Sequence, residues 1–330
     1  MIGRGLTFLL TCVLVLIAAT LCGCAEPAAS QPETRTIVDG AGREVAVPIH
    51  VDRVVSLVTG ITGILYEIDA GGKIVGVTKA QPYPTPYYYP QSDKLPDVGS
   101  IANINVEQVM SLEPDIVFTT EFFVKQAQSL VERDITVVAI RTGSLKDLVW
   151  NVKFIGSIVG QRAEAEELGQ DMESTLDMIG DRTADLARED RPDVYVEGSQ
   201  QITYGAMTYC TESILKAGGV NIYGQSPIKM PQTNIEYVVE QNPDVVLLFE
   251  VAKDKEQFVD KAEEHIQEVK NRPGWETIGA VRQSRICVIE NRYLNFGPDH
   301  PKSVVAMAKF FHPDLFSDIS MPEYVCLASR

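Results

Sequence analysis

Two carboxylates, Glu107 and Glu236, occupy the same place in a 13-residue segment that the chain carries twice. Residues 105–117 read NVEQVMSLEPDIV and residues 234–246 read NIEYVVEQNPDVV, with six identical positions at a constant offset of 129. In both copies an Asn suited to a helix N-cap precedes the Glu, and a Pro-Asp pair leads into an apolar run. Each copy therefore predicts a short helix, a breaker and a buried strand.

The repeated Glu has two interpretations. The helix dipole favours a carboxylate in the first turn of a helix by about 0.3–1 kcal/mol. This effect explains why an acidic residue occurs there, but it does not explain why both copies have Glu at the same position. Alternatively, one exposed carboxylate in each repeat could bind two positive groups on a two-fold symmetric partner. The spacing by itself leaves both interpretations open.

Strand-like and helix-like segments alternate on both sides of residues 144–190, a stretch with helical apolar spacing and no clear strand. This order predicts an α/β fold with two similar lobes of mostly parallel sheet, joined by a long helix, with a ligand cleft between the lobes. We assign residues 36–160 to the N-terminal lobe (N-lobe), 161–190 to the interlobe helix and 191–330 to the C-terminal lobe (C-lobe).

Smaller signals predict individual elements. The turn signal Asp39-Gly40-Ala41-Gly42 between two β-rich runs predicts a hairpin. The pairs Gly71-Gly72 and Gly218-Gly219 are each predicted to end a helix. Residues 123–132 are predicted to form another helix. Gly169 and Gly180 weaken the long interlobe helix.

The N-terminus has the pattern of a targeting segment. Arg4 precedes the apolar run LTFLLTCVLVLIAATL, which ends in Leu21-Cys22-Gly23-Cys24. This ending resembles a bacterial lipobox, so we predict a signal peptide over 1–23 and lipidation of Cys24. A plain transmembrane anchor is the alternative, although the run is shorter than the roughly 20 apolar residues that a span needs. Residues 24–35 are predicted to be a flexible tether. The signal peptide and the lipidated Cys24 together predict a protein outside the cytoplasm that is lipid-anchored to the cell membrane.

Charge and cysteine content exclude several classes of protein. A formal net charge of −16 argues against nucleic-acid binding, which requires a basic face. Beyond the lipobox the chain has Cys210, Cys287 and Cys326 without a CxxC pair, which excludes a zinc ribbon or a thioredoxin motif. Whether two of the three form a disulfide stays open at this point.

Five segments in order resemble the substrate-binding proteins of iron-complex and cobalamin ABC importers, a class III periplasmic-binding-protein family. The resemblance covers about residues 36–318. The segments are TIVDGAGREVAVPIHVDRVVSL, LPDVGSIANINVEQVMSLEPDIVFTT, AGGVNIYG, MPQTNIEYVVEQNPDVVLL and PGWETIGAVRQSRICVIENR.

The resemblance implies two lobes that close modestly around one rigid helix. It implies that Glu107 and Glu236 dock onto arginines of an ABC permease dimer, which works with separate ATPase subunits. It also implies a metal chelate as ligand, such as a ferric siderophore, haem or cobalamin, and no intrinsic cofactor.

In that family the ligand lies between the lobes, on loops that follow strands, and three such loops here are rich in aromatic residues. Tyrosine supplies a flat apolar surface with a hydroxyl, which suits a large, flat or chelated ligand. The alternative is that these rings pack beneath their own loops, and that Arg292 pairs with a Glu rather than with an anionic ligand. The predicted ligand-binding residues are Tyr83, Tyr87, Tyr88, Tyr204, Tyr209, Arg292, Tyr293 and Phe296.

One departure from the family pattern concerns the last loop. Many relatives carry an Arg after Gly-Pro, where this chain has Gly297-Pro298-Asp299-His300. The missing cation argues against a strongly anionic ferric catecholate. His300 could coordinate a metal centre axially, or it could be a hydrogen-bonded loop residue. Bare metal-ion binding is not expected, because the four histidines are scattered.

Three other functions are weighed against the importer. An enzyme such as a metal chelatase is disfavoured, because no GxxxxGK[ST], HExxH or GxSxG motif is present. A surface sensor or adhesion lipoprotein on the same fold predicts that Glu107 and Glu236 are dispensable. Binding of an oxyanion such as molybdate also stays open.

Overall fold

The computed structural model describes residues 33–79, 85–198, 201–320 and 326–328, without the side chains of residues 86, 326 and 327. The signal peptide, Cys24 and nearly all of the tether lie outside the described residues, as does Tyr83. Within the described ranges, no helix combines the length and the apolar character that crossing a membrane requires.

An antiparallel hairpin begins the described fold, as the turn signal predicts. Strand β1 (Thr34–Val38) pairs with β2 (Glu44–Pro48) around a turn that contains the fully buried Asp39. The Asp39 carboxylate accepts hydrogen bonds from Ala41 N and Arg43 N within the turn and from Ala139 N elsewhere in the chain. The buried carboxylate thus has its partners, and it fixes the hairpin to the N-lobe sheet.

The N-lobe contains a four-stranded parallel sheet in the order β4-β3-β5-β6. Almost every residue of these strands is buried, which explains why the strands read as continuous apolar runs rather than as alternating patterns. The strands are β3 (Val54–Ser56), β4 (Ile74–Val77), β5 (Ile116–Thr120) and β6 (Val137–Ile140).

The C-lobe contains a five-stranded sheet in the order β11-β10-β9-β7-β8. Four strands are parallel, and β11 pairs antiparallel with β10 at one edge. The two edge strands have only two and three residues, too few for a sequence pattern to predict them. The strands are β7 (Asp193–Glu197), β8 (Val220–Asn221), β9 (Val245–Glu250), β10 (Ile286–Glu290) and β11 (Cys326–Ala328).

Helices connect the strands in both lobes and between them. In chain order they are α1 (Thr59–Glu67), α2 (Thr85–Tyr88), α3 (Val106–Ser111), α4 (Gln128–Val131), α5 (Leu145–Val159), α6 (Arg162–Thr183), α7 (Tyr209–Lys216), α8 (Ile235–Gln241), α9 (Lys255–Lys270), α10 (Gly279–Arg282) and α11 (His300–Phe311).

Two local predictions are wrong. The helix expected over 123–132 is the single turn α4. Helix α1 ends at Glu67 rather than at Gly71-Gly72, because Asp69 already turns the chain with φ of 58°. Its counterpart in the C-lobe does end as predicted, with Gly218 at φ of 86°.

Within the segment assigned to the interlobe helix, residues 161–190, helix α6 ends at Thr183 and packs against α5. A Cβ atom on Gly156 of α5 would lie 2.2 Å from the Ala165 side chain, and one on Gly169 of α6 would lie 2.7 Å from the Lys153 side chain. Propensity predicts that Gly169 weakens the helix, and the structure shows that the missing side chain lets the two helices approach closely.

Candidate ligand cleft and docking helices

A cavity of about 300 Å³ lies where the carboxyl ends of the two sheets meet. Its walls come from segments that follow β5 and β6 in the N-lobe and from β9 and the segments after β7, β8 and β10 in the C-lobe. Ligands of open α/β sheets usually bind at this edge, because the loops that follow parallel strands converge there. The described lining residues are Phe122, Thr142, Tyr204, Met207, Thr208, Tyr209, Cys210, Lys229, Met230, Phe249, Asn291, Leu294 and Asn295.

Tyr204 and Tyr209 line the cavity, as predicted. The Tyr204 ring lies 5.8 Å from the Phe249 ring, which is also a lining residue. Tyr209 is supported from behind by edge contacts with Phe296 at 5.1 Å and with His300 at 5.3 Å between ring centroids. Neighbouring aromatic rings in such tilted and edge-on arrangements stabilise each other and hold the wall in place.

His300 is buried behind that wall and is not one of the described lining residues. Its side chain is fully buried, and Nε2 lies 2.9 Å from Ser213 Oγ, within hydrogen-bond distance. Burial lowers the pKa of His300 to about 4, which keeps the ring neutral at physiological pH. His300 thus has no exposed surface and packs beneath Tyr209, which favours the alternative of a hydrogen-bonded residue over axial metal coordination.

Three other predicted ligand residues also pack behind the cavity. Tyr88, Tyr293 and Phe296 are 2%, 4% and 6% exposed. Phe296 belongs to the apolar core of the N-lobe although its loop follows a C-lobe strand, so it joins the two lobes. The hydroxyl of Tyr88 is 3.5 Å from Asn291 Nδ2, at the limit of a hydrogen bond between the lobes. These three rings thus fit the alternative that aromatic residues of the loops pack inside the protein. Tyr87 is 38% exposed and does not line the cavity.

Arg292 pairs within the protein rather than facing the cavity. Its Nη2 donates a hydrogen bond to the Tyr293 hydroxyl at 2.5 Å, and its Nε lies 3.8 Å from Glu290 Oε2. Burial raises the pKa of Glu290 to about 7, although the nearby Arg292 opposes this rise. The structure thus supports pairing of Arg292 with a glutamate over direct contact with a ligand.

A network of ion pairs lies at the carboxyl ends of β7 and β9. Arg272 binds the buried Glu197 through two hydrogen bonds of 2.8 Å, and the Tyr195 hydroxyl donates a third at 2.5 Å. His265 lies between the carboxylates of Glu197 and Glu250, at 3.9 and 3.3 Å. Burial alone would raise the pKa of Glu197, but these partners lower it to about 2. Burial alone would lower the pKa of His265, but the two carboxylates raise it to about 9.

The described side chains do not provide a metal centre. They contain no group of three His, Cys, Asp or Glu residues placed to hold a metal ion. Cys210 is a buried free thiol whose pKa is raised by burial, whereas Cys287 is disulfide-bonded. One disulfide therefore forms, which the sequence had left open.

The repeated segments have equivalent local structures. The side chains of Asn105 and Asn234 cap α3 and α8, each accepting a hydrogen bond from a backbone N–H in the first turn. Asp115 accepts hydrogen bonds from the backbone N–H groups of the two residues that precede β3, and Asp244 accepts one from the first residue of β7. The Asn and Asp of the repeat are thus explained by local structure.

Glu107 and Glu236 have no such structural role. Both are exposed in the first turns of α3 and α8, and neither forms a hydrogen bond or ion pair with the described part of the chain. An exposed apolar side chain accompanies each of them, Met110 on α3 and Ile235 on α8. Each of the two helices therefore presents a carboxylate without a partner in the described structure and an exposed apolar side chain.

Most of the cavity lining was not predicted. Phe122 and Thr142 follow β5 and β6, so the rule that ligands contact loops after strands could have found them. Lys229 and Met230 lie in a segment between β8 and α8 without periodicity or motif, and no sequence signal points to them.

Residues 54–293 match the periplasmic binding protein family. An uncharacterized ABC transporter substrate-binding lipoprotein of Bacillus subtilis, YvrC, is 26% identical over 324 residues, covering 92% of this chain and 97% of YvrC. The molybdate-binding protein MolA of Haemophilus influenzae is 23% identical over 321 residues, covering 88% of each chain.

Solved structures show the same fold. MolA bound to molybdate superposes with a TM-score of 0.73 over 87% of this chain and 94% of that chain, at 24% identity. The periplasmic vitamin B12-binding protein BtuF of Vibrio cholerae gives a TM-score of 0.68 over 81% of this chain and 98% of that chain, at 21% identity. At these identities the likeness establishes the fold. The family match spans most of the sequence, and this chain belongs to the periplasmic binding protein family.

Proposed function

We propose that this chain is the lipid-anchored substrate-binding component of an ABC importer. It captures a metal chelate between its lobes and delivers it to a permease dimer that works with ATPase subunits. The protein itself performs no chemical step. Membership of the periplasmic binding protein family supports the binding role, and the near full-length similarity to YvrC supports the connection with an ABC transporter.

The observation that carries the proposal is the pairing of an interlobe cavity with two free glutamates. The cavity has aromatic walls from both lobes, Phe122 on one side and Tyr204, Tyr209 and Phe249 on the other. Aromatic and apolar walls with a few polar groups are typical of sites for organic ligands, and they suit a chelate better than a bare ion. Glu107 and Glu236 supply one unpaired carboxylate per lobe for a partner with positive groups.

A thermal-shift panel on residues 36–330 tests the ligand class. The panel contains ferric siderophores, haem, cobalamin, cobinamide and molybdate. A ligand at 100 times its dissociation constant should add about 2.7 kcal/mol to the free energy of unfolding. A clear shift with one chelate supports the proposal, and the absence of a shift with every chelate contradicts it.

A double variant then tests delivery. Glu107→Gln with Glu236→Gln should abolish uptake of the identified ligand while its dissociation constant stays unchanged. The matched control is Glu113→Gln with Glu240→Gln, which removes two exposed carboxylates near the same helices. Full uptake by the first double variant would favour a surface sensor or adhesion lipoprotein on the same fold.

The lipid anchor is proposed from the sequence LCGC and from the description of YvrC as a lipoprotein. Cys24→Ala in the full chain should abolish metabolic labelling with radioactive palmitate, which the unsubstituted protein should incorporate. An unsubstituted protein that enters the detergent phase of a Triton X-114 partition without incorporating the label would favour a transmembrane anchor.

Binding of an oxyanion such as molybdate is the second candidate. The observation that favours it is the similarity to MolA over most of both chains, in sequence and in fold. A small inorganic anion would leave the apolar walls of a 300 Å³ cavity without a partner, which favours the chelate. A molybdate shift in the panel, without a chelate shift, would reverse this preference.

A further inference from the structure

A single charged side chain, Lys229, is found among the described residues that line the cavity. Lys229 belongs to the C-lobe, in the segment between β8 and α8. Its ammonium nitrogen lies 4.5 Å from the centre of the Phe122 ring, which follows β5 in the N-lobe. The lysine thus reaches an aromatic side chain of the opposite lobe at the cavity wall.

The charge of Lys229 is not neutralised within the described structure. Lys229 forms no ion pair with any described carboxylate, whereas Lys253 and Lys261 of the same lobe each have one within 4.0 Å. The carboxylate nearest in sequence to Phe122 belongs to Glu121: its Oε1 accepts two hydrogen bonds from Thr142, its Oε2 is buried without a described hydrogen-bond partner, and neither oxygen forms an ion pair with Lys229. A cation–π contact at an exposed site is weak, so Phe122 can release the ammonium to a better partner.

A second donor at the cavity wall also lacks a partner. The side-chain oxygen of Asn295 lies 3.3 Å from Asn291 Nδ2, but Nδ2 of Asn295 is buried without a hydrogen-bond partner in the described structure. A buried unpaired donor is costly, and a ligand that accepts a hydrogen bond would satisfy it. The unpaired groups of the lining are therefore a cation and an amide donor, both of which suit a negative or electron-rich group.

The remaining lining is mainly apolar. Phe122, Tyr204, Phe249 and Leu294 are examples, and no described lining residue carries a negative charge. A ligand that uses the whole cavity needs an apolar or aromatic body as well as a negative group. Because the chain as a whole has a formal net charge of −16, the positive charge of Lys229 is a local feature of the cavity.

We propose that the ligand is an anionic chelate with an apolar or aromatic body, and that Lys229 is the residue that selects its charge. On binding, the ammonium exchanges Phe122 for the negative group of the ligand, and Asn295 donates a hydrogen bond to it. This inference rests on the proposed chelate-binding function. It also replaces the expectation from the Asp299-His300 loop, where the missing arginine had argued against a strongly anionic ligand.

The test measures dissociation constants by quenching of tryptophan fluorescence, for anionic chelates, for uncharged chelates and for molybdate. Haem and a ferric catecholate siderophore are apolar or aromatic anions, ferrichrome and cyanocobalamin are uncharged, and molybdate is an anion without an apolar body. We expect haem or the ferric catecholate to bind. Lys229→Met should weaken that binding about tenfold or more, because it removes an interaction with a charged group, whereas Lys229→Arg should stay within about threefold.

Controls separate charge selection from folding. Lys253→Met removes an exposed lysine of the same lobe that does not line the cavity, and it should leave the dissociation constant unchanged. Because Lys229 is exposed, Lys229→Met should melt at the temperature of the unsubstituted protein. Raising the salt concentration should weaken binding to the unsubstituted protein more than to Lys229→Met.

Each outcome has a definite meaning. If ferrichrome or cyanocobalamin binds, and its dissociation constant is the same for Lys229→Met as for the unsubstituted protein, charge selection is overturned and the importer proposal stays intact. Binding of molybdate alone would overturn the requirement for an apolar body, together with the chelate. No binding by any member of the panel would overturn the proposed chelate-binding function and this inference with it.

Discussion

The two lobes follow one plan in their backbones but differ at the carboxyl ends of their sheets. In the C-lobe, strands β7, β9 and β10 end in Glu197, Glu250 and Glu290. In the N-lobe, β5 ends in Thr120 and β6 in Ile140, without a charge. The repeat of Asn, Glu and Asp at α3 and α8 is therefore not accompanied by a repeat at the cleft.

The difference shows that the lobes resemble each other on their outer helices and not around the cavity. Of the described lining residues, only Phe122 and Thr142 come from the N-lobe. Buried charges need partners inside the protein, so the C-lobe end depends on a few ion pairs among buried groups. In the N-lobe the carboxylate of Glu121, which follows β5, accepts its hydrogen bonds from the neutral Thr142 instead. Four predictions test this difference between the lobes.

The largest effect is expected from Arg272→Met. Glu197 is 2% exposed, and the substitution removes the two hydrogen bonds that compensate its burial. Loss of one partner of a buried ion pair costs about 3–5 kcal/mol. Urea unfolding should show this loss, whereas Lys153→Met, in the exposed pair with Glu166, should cost about 0–1 kcal/mol. Equal losses would mean that the C-lobe network has no special role in stability.

The second comparison sets Asp115→Ala against Asp244→Ala. Asp115 accepts two backbone hydrogen bonds from neighbouring residues and Asp244 accepts one. Each hydrogen bond to a charged group contributes about 1.5–3 kcal/mol at most sites and less where solvent reaches it. We expect about 1–2 kcal/mol for Asp115→Ala and a smaller loss for Asp244→Ala in the same urea experiment. The reverse order would show that the number of backbone hydrogen bonds does not set the contribution of the two aspartates to stability.

The third prediction concerns pH. Because the folded state raises the pKa of His265 from 6.5 to about 9, its contribution to stability is complete below pH 6.5 and is lost as pH rises through 9. Unfolding free energy should fall by about 1 kcal/mol over that range, after discounting for solvent screening.

His265→Gln should remove this part of the pH dependence, while the exposed His50→Gln should retain it. The lowered pKa of Glu197 acts in the opposite direction: its contribution is present above pH 4.5 and is lost as pH falls towards 2. A pH profile of His265→Gln that parallels that of the unsubstituted protein between pH 6.5 and 9 would disprove the role of His265.

The smallest effect on stability is expected from Glu107→Gln with Glu236→Gln. Neither carboxylate has a described partner, so only the favourable interaction of each with its helix N-terminus is lost, and the double variant should lower the unfolding free energy by about 1 kcal/mol or less. A loss near 2 kcal/mol would assign both residues to helix stabilisation and remove the main argument for a docking role. Stability and uptake are thus measured on the same variant.

Much of the fold was predictable because its signals are local. The hairpin turn, the Asn caps and the helical spacing of α5 and α6 each depend on a few neighbouring residues. The prediction was wrong at residues 123–132, where only the single turn α4 forms. It was also wrong at α1, because Asp69 adopts a left-handed conformation before the chain reaches Gly71-Gly72.

The candidate site was predictable only in part. Of the predicted ligand-binding residues, Tyr204 and Tyr209 line the cavity, but composition could not separate them from Tyr88, Tyr293 and Phe296, which are buried and do not line it. An aromatic residue in a loop after a strand has the same sequence signature in both positions. Which rings face the cavity depends on how the other lobe packs, as Phe296 shows by entering the core of the N-lobe.

The sequence by itself determined the α/β class, the two-lobe plan with its connecting helix, and the paired positions of Glu107 and Glu236. These follow from periodicity and repetition, which short-range physical chemistry imposes on neighbouring residues. The tertiary structure decided which side chains share the cavity, that His300 is buried and neutral, and that Lys229 meets Phe122 of the opposite lobe. Such contacts join residues far apart in the chain, and only the packing of one lobe against the other brings them together.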